Sequence, residues 1–109
     1  METNCAEITV EELKSKLSRS EKITIIDVRE PAEHATCHLK EARLIPLSEF
    51  EDRLDELNPA DSIVLYCHHG MRSAQAASWL RDNGFKDVSS LRGGIDAWAE
   101  RIDPSMERY

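Results

Sequence analysis

Apolar and polar positions form blocks along the chain that predict strands and helices in turn. The runs at residues 23–26 and 63–66 are almost entirely apolar and rich in β-branched side chains, which is typical of strands buried on both faces. Weaker strands are predicted at residues 8–9, 42–45 and 88–91. Asp27 directly follows the first strong run, and Cys67 directly follows the second.

Between these runs, apolar residues recur at helical spacing. The predicted helices carry Leu13 and Leu17; Phe50, Leu54 and Leu57; Ser73, Ala76, Ala77 and Leu80; and Ile95, Trp98, Ala99 and Ile102. Two of them begin with the signature of a capping box, Thr9 with Glu12 and Ser48 with Glu51.

Strands that alternate with helices indicate one α/β domain in residues 1–109, with its core at about 7–102. We expect a mostly parallel central sheet of about five strands with helices on both faces. In such sheets ligands bind beyond the carboxyl ends of the strands. Asp27 and Arg29 are expected there, together with the loop from Cys67 to Ser73.

Charge and composition exclude several function classes. The 109 residues carry 14 basic and 21 acidic side chains, a formal net charge of -7, which argues against nucleic-acid and membrane partners. No apolar run is long enough to span a bilayer and no signal peptide is evident, so a cytoplasmic protein is expected. The three cysteines, Cys5, Cys37 and Cys67, are too few and odd in number for a disulfide framework.

The segment after the second strong strand carries the candidate chemistry. It reads Cys67, His68, His69, Gly70, Met71, Arg72 and Ser73. A short loop that opens a helix can turn its backbone N–H groups inward and, with the helix dipole, favour a nucleophilic thiolate. Arg72 adds a cation suited to an oxyanion. The alternative for Cys67 alone is an inert cysteine of the core.

These residues resemble the rhodanese homology domain. The Cys-x-x-Gly-x-Arg-Ser loop of its single-domain members matches Cys67, Gly70, Arg72 and Ser73. Further matches cover roughly the whole domain, namely Asp27-Val28-Arg29, Glu33, His38-Leu39, Ile45-Pro46, Gly84-Phe85, Val88, Leu91, Gly93-Gly94 and Trp98. The pattern departs from the family where glycines are usual, because Cys37 and Glu41 stand there.

The resemblance implies a sulfurtransferase in which Cys67 carries sulfane sulfur as a persulfide. The donor would be thiosulfate or a low-molecular-weight persulfide, and a protein donor or acceptor is also compatible with it. Loop amides and Arg72 would hold the donor, while Asp27 and Arg29 would support the loop or form an ordinary surface ion pair. His68 and His69 would tune donor choice by partial protonation, or point to solvent. No cofactor is expected.

Alternative functions and sites remain open at this point. A non-enzymatic docking or regulatory module of the same fold is one; a cysteine phosphatase or arsenate reductase is another, although its loop has five residues between Cys and Arg where this chain has four. His34, Cys37 and His38 suggest a metal site, but with too few further ligands, so none is predicted. The tail, residues 102–109, is similar to the ends of rhodanese domains appended to E1-like adenylyltransferases, which hints at delivery of sulfur to a cofactor or tRNA.

Overall fold

A single five-stranded parallel sheet forms the centre of the molecule. The computed structural model describes residues 6–109, so Cys5, for which the simplest expectation is an inert exposed thiol, lies outside the described residues. The strand order is β1-β5-β4-β2-β3, and every neighbouring pair is parallel. The strands are β1 Glu7–Ile8, β2 Thr24–Asp27, β3 Arg43–Leu44, β4 Ile63–Tyr66 and β5 Val88–Leu91. The predicted sheet is therefore confirmed.

Helices cover both faces of the sheet, as predicted. They are α1 Val10–Ser18, α2 Pro31–Thr36, α3 Met71–Asp82 and α4 Gly94–Arg101. Apolar residues of α1 and α4 form one half of the core, and those of α3 pack with Phe50 and Leu57 in the other half. Trp79 packs edge-on against Phe50, and Trp98 is buried, so both tryptophans are packing residues. No helix within residues 6–109 is long and apolar enough to cross a membrane.

The first predicted capping box is present and starts α1. The Thr9 hydroxyl oxygen accepts a hydrogen bond from the Glu12 N–H at 3.1 Å, and the Glu12 carboxylate accepts one from the Thr9 N–H at 2.8 Å. Two N–H groups that the helix itself leaves unpaired are thus satisfied. Thr9 belongs to the cap, so β1 ends one residue earlier than predicted.

The second predicted capping box, at Ser48 and Glu51, is wrong. Two 3-10 helices, Leu47–Glu49 and Glu51–Glu56, replace the expected α-helix, and Ser48 caps neither. Backbone bonds span three residues, as from Phe50 N–H to the Leu47 carbonyl, and Arg53 leaves helical geometry where its guanidinium pairs with Glu49 and Glu56. Burial of Phe50 and Leu57 is achieved by this tighter path, which shows tertiary packing overriding the helical pattern.

A short helix after β2, which the apolar pattern did not indicate, carries two polar residues to the site. Pro31 occupies the first turn of α2, where its missing N–H costs nothing. The Glu33 carboxylate accepts a hydrogen bond from the Glu30 N–H at 2.9 Å and so closes the helix start. Glu33 and His34 thereby lie beyond the carboxyl end of the sheet.

Adjacent strands and the start of α4 fix the position of the Cys67 loop. Asp27 of β2 lies level with Tyr66 of β4, so the residues that follow both strands meet at one edge of the sheet. The Cys67 carbonyl accepts a bond from the Ile95 N–H at 2.9 Å. A side chain at Gly94 would collide with the Cys67 and His68 carbonyl oxygens, so only glycine fits this close approach.

Candidate active site

The Cys67 sulfur lies in a ring of donors at the start of α3. It accepts a hydrogen bond from the Gly70 N–H at 3.1 Å and another from the Ser73 N–H at 3.4 Å. Gly70 adopts a left-handed conformation with φ of 114°, which turns its N–H inward and which side-chain-bearing residues rarely adopt. Together with the helix dipole, these donors favour negative charge on sulfur. The predicted amide cradle is therefore present around this atom.

Two serines complete the wall of the cradle. The Ser73 hydroxyl lies 3.5 Å from the Cys67 sulfur and 2.8 Å from the Ser90 hydroxyl. Both serines are fully buried. Ser90 comes from β5 and was not recognised in the sequence, where the only available signal was a polar residue at a buried position of a predicted strand. In the contact between the Ser73 hydroxyl and the Cys67 sulfur, and in the contact between the two serine hydroxyls, either atom can be the donor.

Arg72 does not point freely into the cradle, because it is paired with Glu33. Its two terminal nitrogens contact the two Glu33 oxygens at 2.9 and 3.0 Å. The bonds from Arg72 outweigh partial burial and lower the pKa of Glu33 to about 2, and the same pair raises the pKa of Arg72. Both groups are thus ionised at neutral pH, and an anion that binds Arg72 must compete with a carboxylate.

Asp27 and Arg29 form a second ion pair, buried at the end of β2. Arg29 donates to the two carboxylate oxygens at 2.8 and 2.7 Å, and neither side chain is exposed to solvent. The alternative of a surface ion pair is therefore wrong. Burial alone would raise the pKa of Asp27, but hydrogen bonds from Arg29 and His34 lower it overall. Arg29 is correspondingly held in its charged form.

The buried pair reaches the active loop through its neighbours rather than by direct contact. Tyr66, the residue before Cys67, donates its hydroxyl proton to Asp27 at 3.1 Å and accepts the Leu39 N–H at 3.1 Å. Arg29 also donates to the Cys37 carbonyl at 2.6 Å. The pair therefore links the end of β4 to the segment after α2. Tyr66 gave no functional signal in the sequence because it ends an apolar strand.

The two loop histidines occupy different environments. His68 is stacked between His69 and Tyr109, with ring centroids 4.1 and 4.0 Å away. Burial lowers the pKa of His68, which acts against its protonation, and its stacked ring is not a solvent-facing side chain. His69 is 67% exposed and lies near Asp96. The solvent-facing alternative is right for His69 and wrong for His68.

Met71 is the remaining side chain of the loop and faces solvent. It is 84% exposed, although it begins α3. An apolar side chain at this place makes no contribution to the cradle itself. It lies instead on the surface beside the Cys67 loop, as an exposed apolar side chain.

The metal alternative at His34, Cys37 and His38 is not supported by the geometry. The His34 ring bonds Asp27 at 2.8 Å and stacks on the His38 ring, whose Nδ1 bonds the His34 carbonyl at 2.9 Å. In the described part of the chain, clustered donor atoms occur instead at His68, His69 and Asp96. One ligand atom from each of these three residues lies within 4.8 Å of the other two. The absence of a cofactor stays a prediction.

Tyr109 is a further residue at the site whose role the sequence did not reveal. Its hydroxyl accepts a hydrogen bond from Arg29 at 2.7 Å and donates one to Glu33 at 2.9 Å. It lies 76 residues from Glu33 in the chain, so no spacing rule connects the two. The segment that carries it entered the sequence analysis only through its similarity to the ends of other domains.

Comparison with known proteins identifies the family. Residues 9–101 match the rhodanese-like domain. The chain belongs to the rhodanese-like family. It is 35% identical to a rhodanese-like domain protein of Staphylococcus aureus, whose crystal structure it matches with a TM-score of 0.83 over 95% of this chain and 98% of the other.

Curated relatives of this rhodanese-like chain differ in length. It is 40% identical, over 94% of its residues, to the probable adenylyltransferase/sulfurtransferase MoeZ of Mycobacterium tuberculosis, but spans only 26% of that protein. It is 38% identical to a protein named sulfurtransferase from Allochromatium vinosum, and there the match covers 85% of this chain and 87% of the other. The fold thus occurs both alone and within longer proteins.

Proposed function

We propose that this rhodanese-like protein is a sulfurtransferase and that Cys67 carries the sulfur as a persulfide. The observation that carries the proposal is that the Cys67 sulfur accepts hydrogen bonds from the Gly70 and Ser73 N–H groups at the start of α3. Such donors stabilise a thiolate before transfer and a terminal persulfide sulfur after it. The names of relatives that match over most of their length support the same activity.

The reaction consists of two displacements at sulfur. The Cys67 thiolate attacks the outer sulfur of thiosulfate; one S–S bond forms, the S–S bond of the donor breaks, and sulfite leaves with its electron pair. With an alkyl persulfide donor the leaving group is a thiolate instead. A thiol, cyanide or protein acceptor then attacks the terminal sulfur and returns Cys67 to the thiolate. No external oxidant or reductant is needed.

Neighbouring groups have separate tasks in this scheme. The amides of the loop hold negative charge on the reacting sulfur, and Ser73 with Ser90 offers an O–H for the thiol or persulfide form. Asp27, Arg29 and Tyr66 keep the end of β4 in place and so position Cys67. Arg72 can bind the anion of a donor only if its hydrogen bonds to Glu33 break. The proposal includes thiosulfate or a persulfide as the donor, a thiol, cyanide or protein as the acceptor, and a cytoplasmic location.

Intact-mass spectrometry tests the proposal directly. Reduced protein treated with thiosulfate, and separately with a low-molecular-weight persulfide, should gain about 32 Da, because one sulfur atom adds to the nucleophile. Cys67→Ala should gain nothing, Cys37→Ala should behave like the wild type, and cyanide should remove the adduct. Absence of an adduct with both donors, on protein shown to be folded, would contradict the proposal and favour the docking module.

A further inference from the structure

The residues after α4 return to the active loop; residues 103–109 are called here the return segment. It begins with the Asp103 N–H bonded to the Trp98 carbonyl at 2.9 Å. Near its end, Arg108 donates twice to the carboxylate of Asp96, at 3.1 Å each. The segment is therefore attached to α4 at two places, and its last side chain, Tyr109, reaches the residue next to Cys67.

Tyr109 joins the two arginine–carboxylate pairs into one network. Its hydroxyl stands between Arg29, which donates to it, and Glu33, which accepts from it. Its ring lies nearly parallel to His68, at 14°, with the centroids 4.0 Å apart. The position of the side chain is thus fixed at both its polar and its apolar end, by groups from the segment after β2, from α2 and from the Cys67 loop.

The consequence falls on Arg72. The Glu33 oxygen that accepts the Tyr109 hydroxyl is also the one that accepts from an Arg72 nitrogen at 3.0 Å. The other Glu33 oxygen is held by Glu30 N–H and by the second Arg72 nitrogen, each at 2.9 Å. The Glu33 carboxylate therefore accepts four hydrogen bonds, and two of them occupy both terminal nitrogens of Arg72.

We propose that Tyr109 is a specificity-determining residue: by holding Glu33 against Arg72, it makes Cys67 less reactive toward anionic reactants than toward uncharged ones. The inference rests on the proposed function and narrows its donor class. Thiosulfate, with sulfonate oxygens beside the reacting sulfur, is disfavoured. Persulfides on thiol carriers, which are attacked as the neutral R–S–SH form and have no oxyanion next to that sulfur, are favoured.

Alkylation of Cys67 tests this without depending on sulfur transfer. Iodoacetate and iodoacetamide react by the same displacement, since the thiolate sulfur bonds the CH2 carbon and iodide leaves, but only iodoacetate is an anion. The ratio of their second-order rate constants is measured in a Cys5→Ser, Cys37→Ser background by mass spectrometry. Tyr109→Phe keeps the ring and removes the hydroxyl, and should raise the iodoacetate-to-iodoacetamide ratio about fivefold, the effect of one lost hydrogen bond.

Matched variants identify the cause of any change. Ser105→Ala removes another hydroxyl of the return segment, one bonded only to Asp103 among the described contacts, and should leave the ratio unchanged. Glu33→Gln should raise the ratio by itself, and Tyr109→Phe should add nothing further to it, because both changes free the same arginine. The thiosulfate-to-persulfide ratio of loading rates should move in the same direction.

Other outcomes overturn the inference. An unchanged ratio in folded Tyr109→Phe would show that the hydroxyl does not control charge selectivity. An equal rise in both rate constants would show that the hydroxyl limits the reactivity of Cys67 without discriminating by charge. Additive effects of Tyr109→Phe and Glu33→Gln would exclude action through Glu33. Failure of the wild type to form a persulfide would contradict the proposed function alone, since the alkylation ratio still decides the role of Tyr109.

Discussion

Two arginine–carboxylate pairs lie near Cys67, and they differ in how they are surrounded. Asp27 and Arg29 are 0% exposed, whereas the side chains of Arg72 and Glu33 are 36% and 21% exposed. Both pairs are bidentate. A pair without access to water has no alternative partner once broken, but a pair at the surface can exchange one partner for water or for a substrate anion. The buried pair is therefore suited to holding the backbone around Cys67 in place, and the partly exposed pair is suited to changing partners when an anion binds.

Removing one arginine from each pair tests this difference and should give the largest effect. Arg29→Met leaves Asp27 buried without its partner and is expected to lower the free energy of unfolding by about 3–5 kcal/mol. Arg72→Met leaves Glu33 in contact with water and should cost about 1 kcal/mol or less. Urea denaturation of both variants gives the comparison. Equal losses would show that burial does not separate the two pairs.

Acid titration measures the contribution of the partly exposed pair, Arg72 and Glu33, to stability. The pKa of Glu33 falls from 4.5 to about 2 on folding, so its contribution to stability is present above pH 4.5 and is lost as the pH decreases toward 2. Asp27 changes in the same direction. Glu33→Gln should therefore flatten the decline of stability below pH 4.5 by about 1 kcal/mol, a figure reduced for solvent screening. An unchanged acid limb in this variant would assign the decline to other carboxyl groups.

The sequence predicted the sheet and the position of the loop because both depend on local pattern. Apolar β-branched runs indicated β2 and β4, and a Cys-to-Ser loop between a strand and a helix implied an amide cradle around Cys67. The partners of the charged residues could not be predicted in this way. Glu33 and Arg72 are 39 residues apart, and Arg29 and Tyr109 are 80 apart. Their contacts depend on how the return segment and α2 pack, which no periodicity encodes.

Residues 47–57 show the opposite case, where a local pattern gave the wrong element. Phe50, Leu54 and Leu57 have helical spacing, yet the backbone forms two 3-10 helices, and the second of them is interrupted at Arg53. The same side chains remain on the core side, with Phe50 and Leu57 buried. The pattern thus predicted which side chains enter the core but not the hydrogen bonding of the backbone that carries them. Core packing and not capping decides the latter here.

A change that touches neither pair gives the smallest expected effect and a baseline for the other two. Glu41, which stands where the family usually has glycine, has a φ of 67°, in the left-handed region that costs a residue with a β-carbon about 1–2 kcal/mol. Glycine removes that cost but loses more chain entropy on folding, so Glu41→Gly should stabilise the protein by only about 0.5–1 kcal/mol. Thermal or urea unfolding measures it, with the alkylation ratio of Cys67 unchanged. A loss of stability instead would mean that the exposed Glu41 side chain contributes more than its backbone strain costs. The turn before β3 would then depend on side-chain interactions, as the ends of β2 and β4 depend on the buried arginine pair.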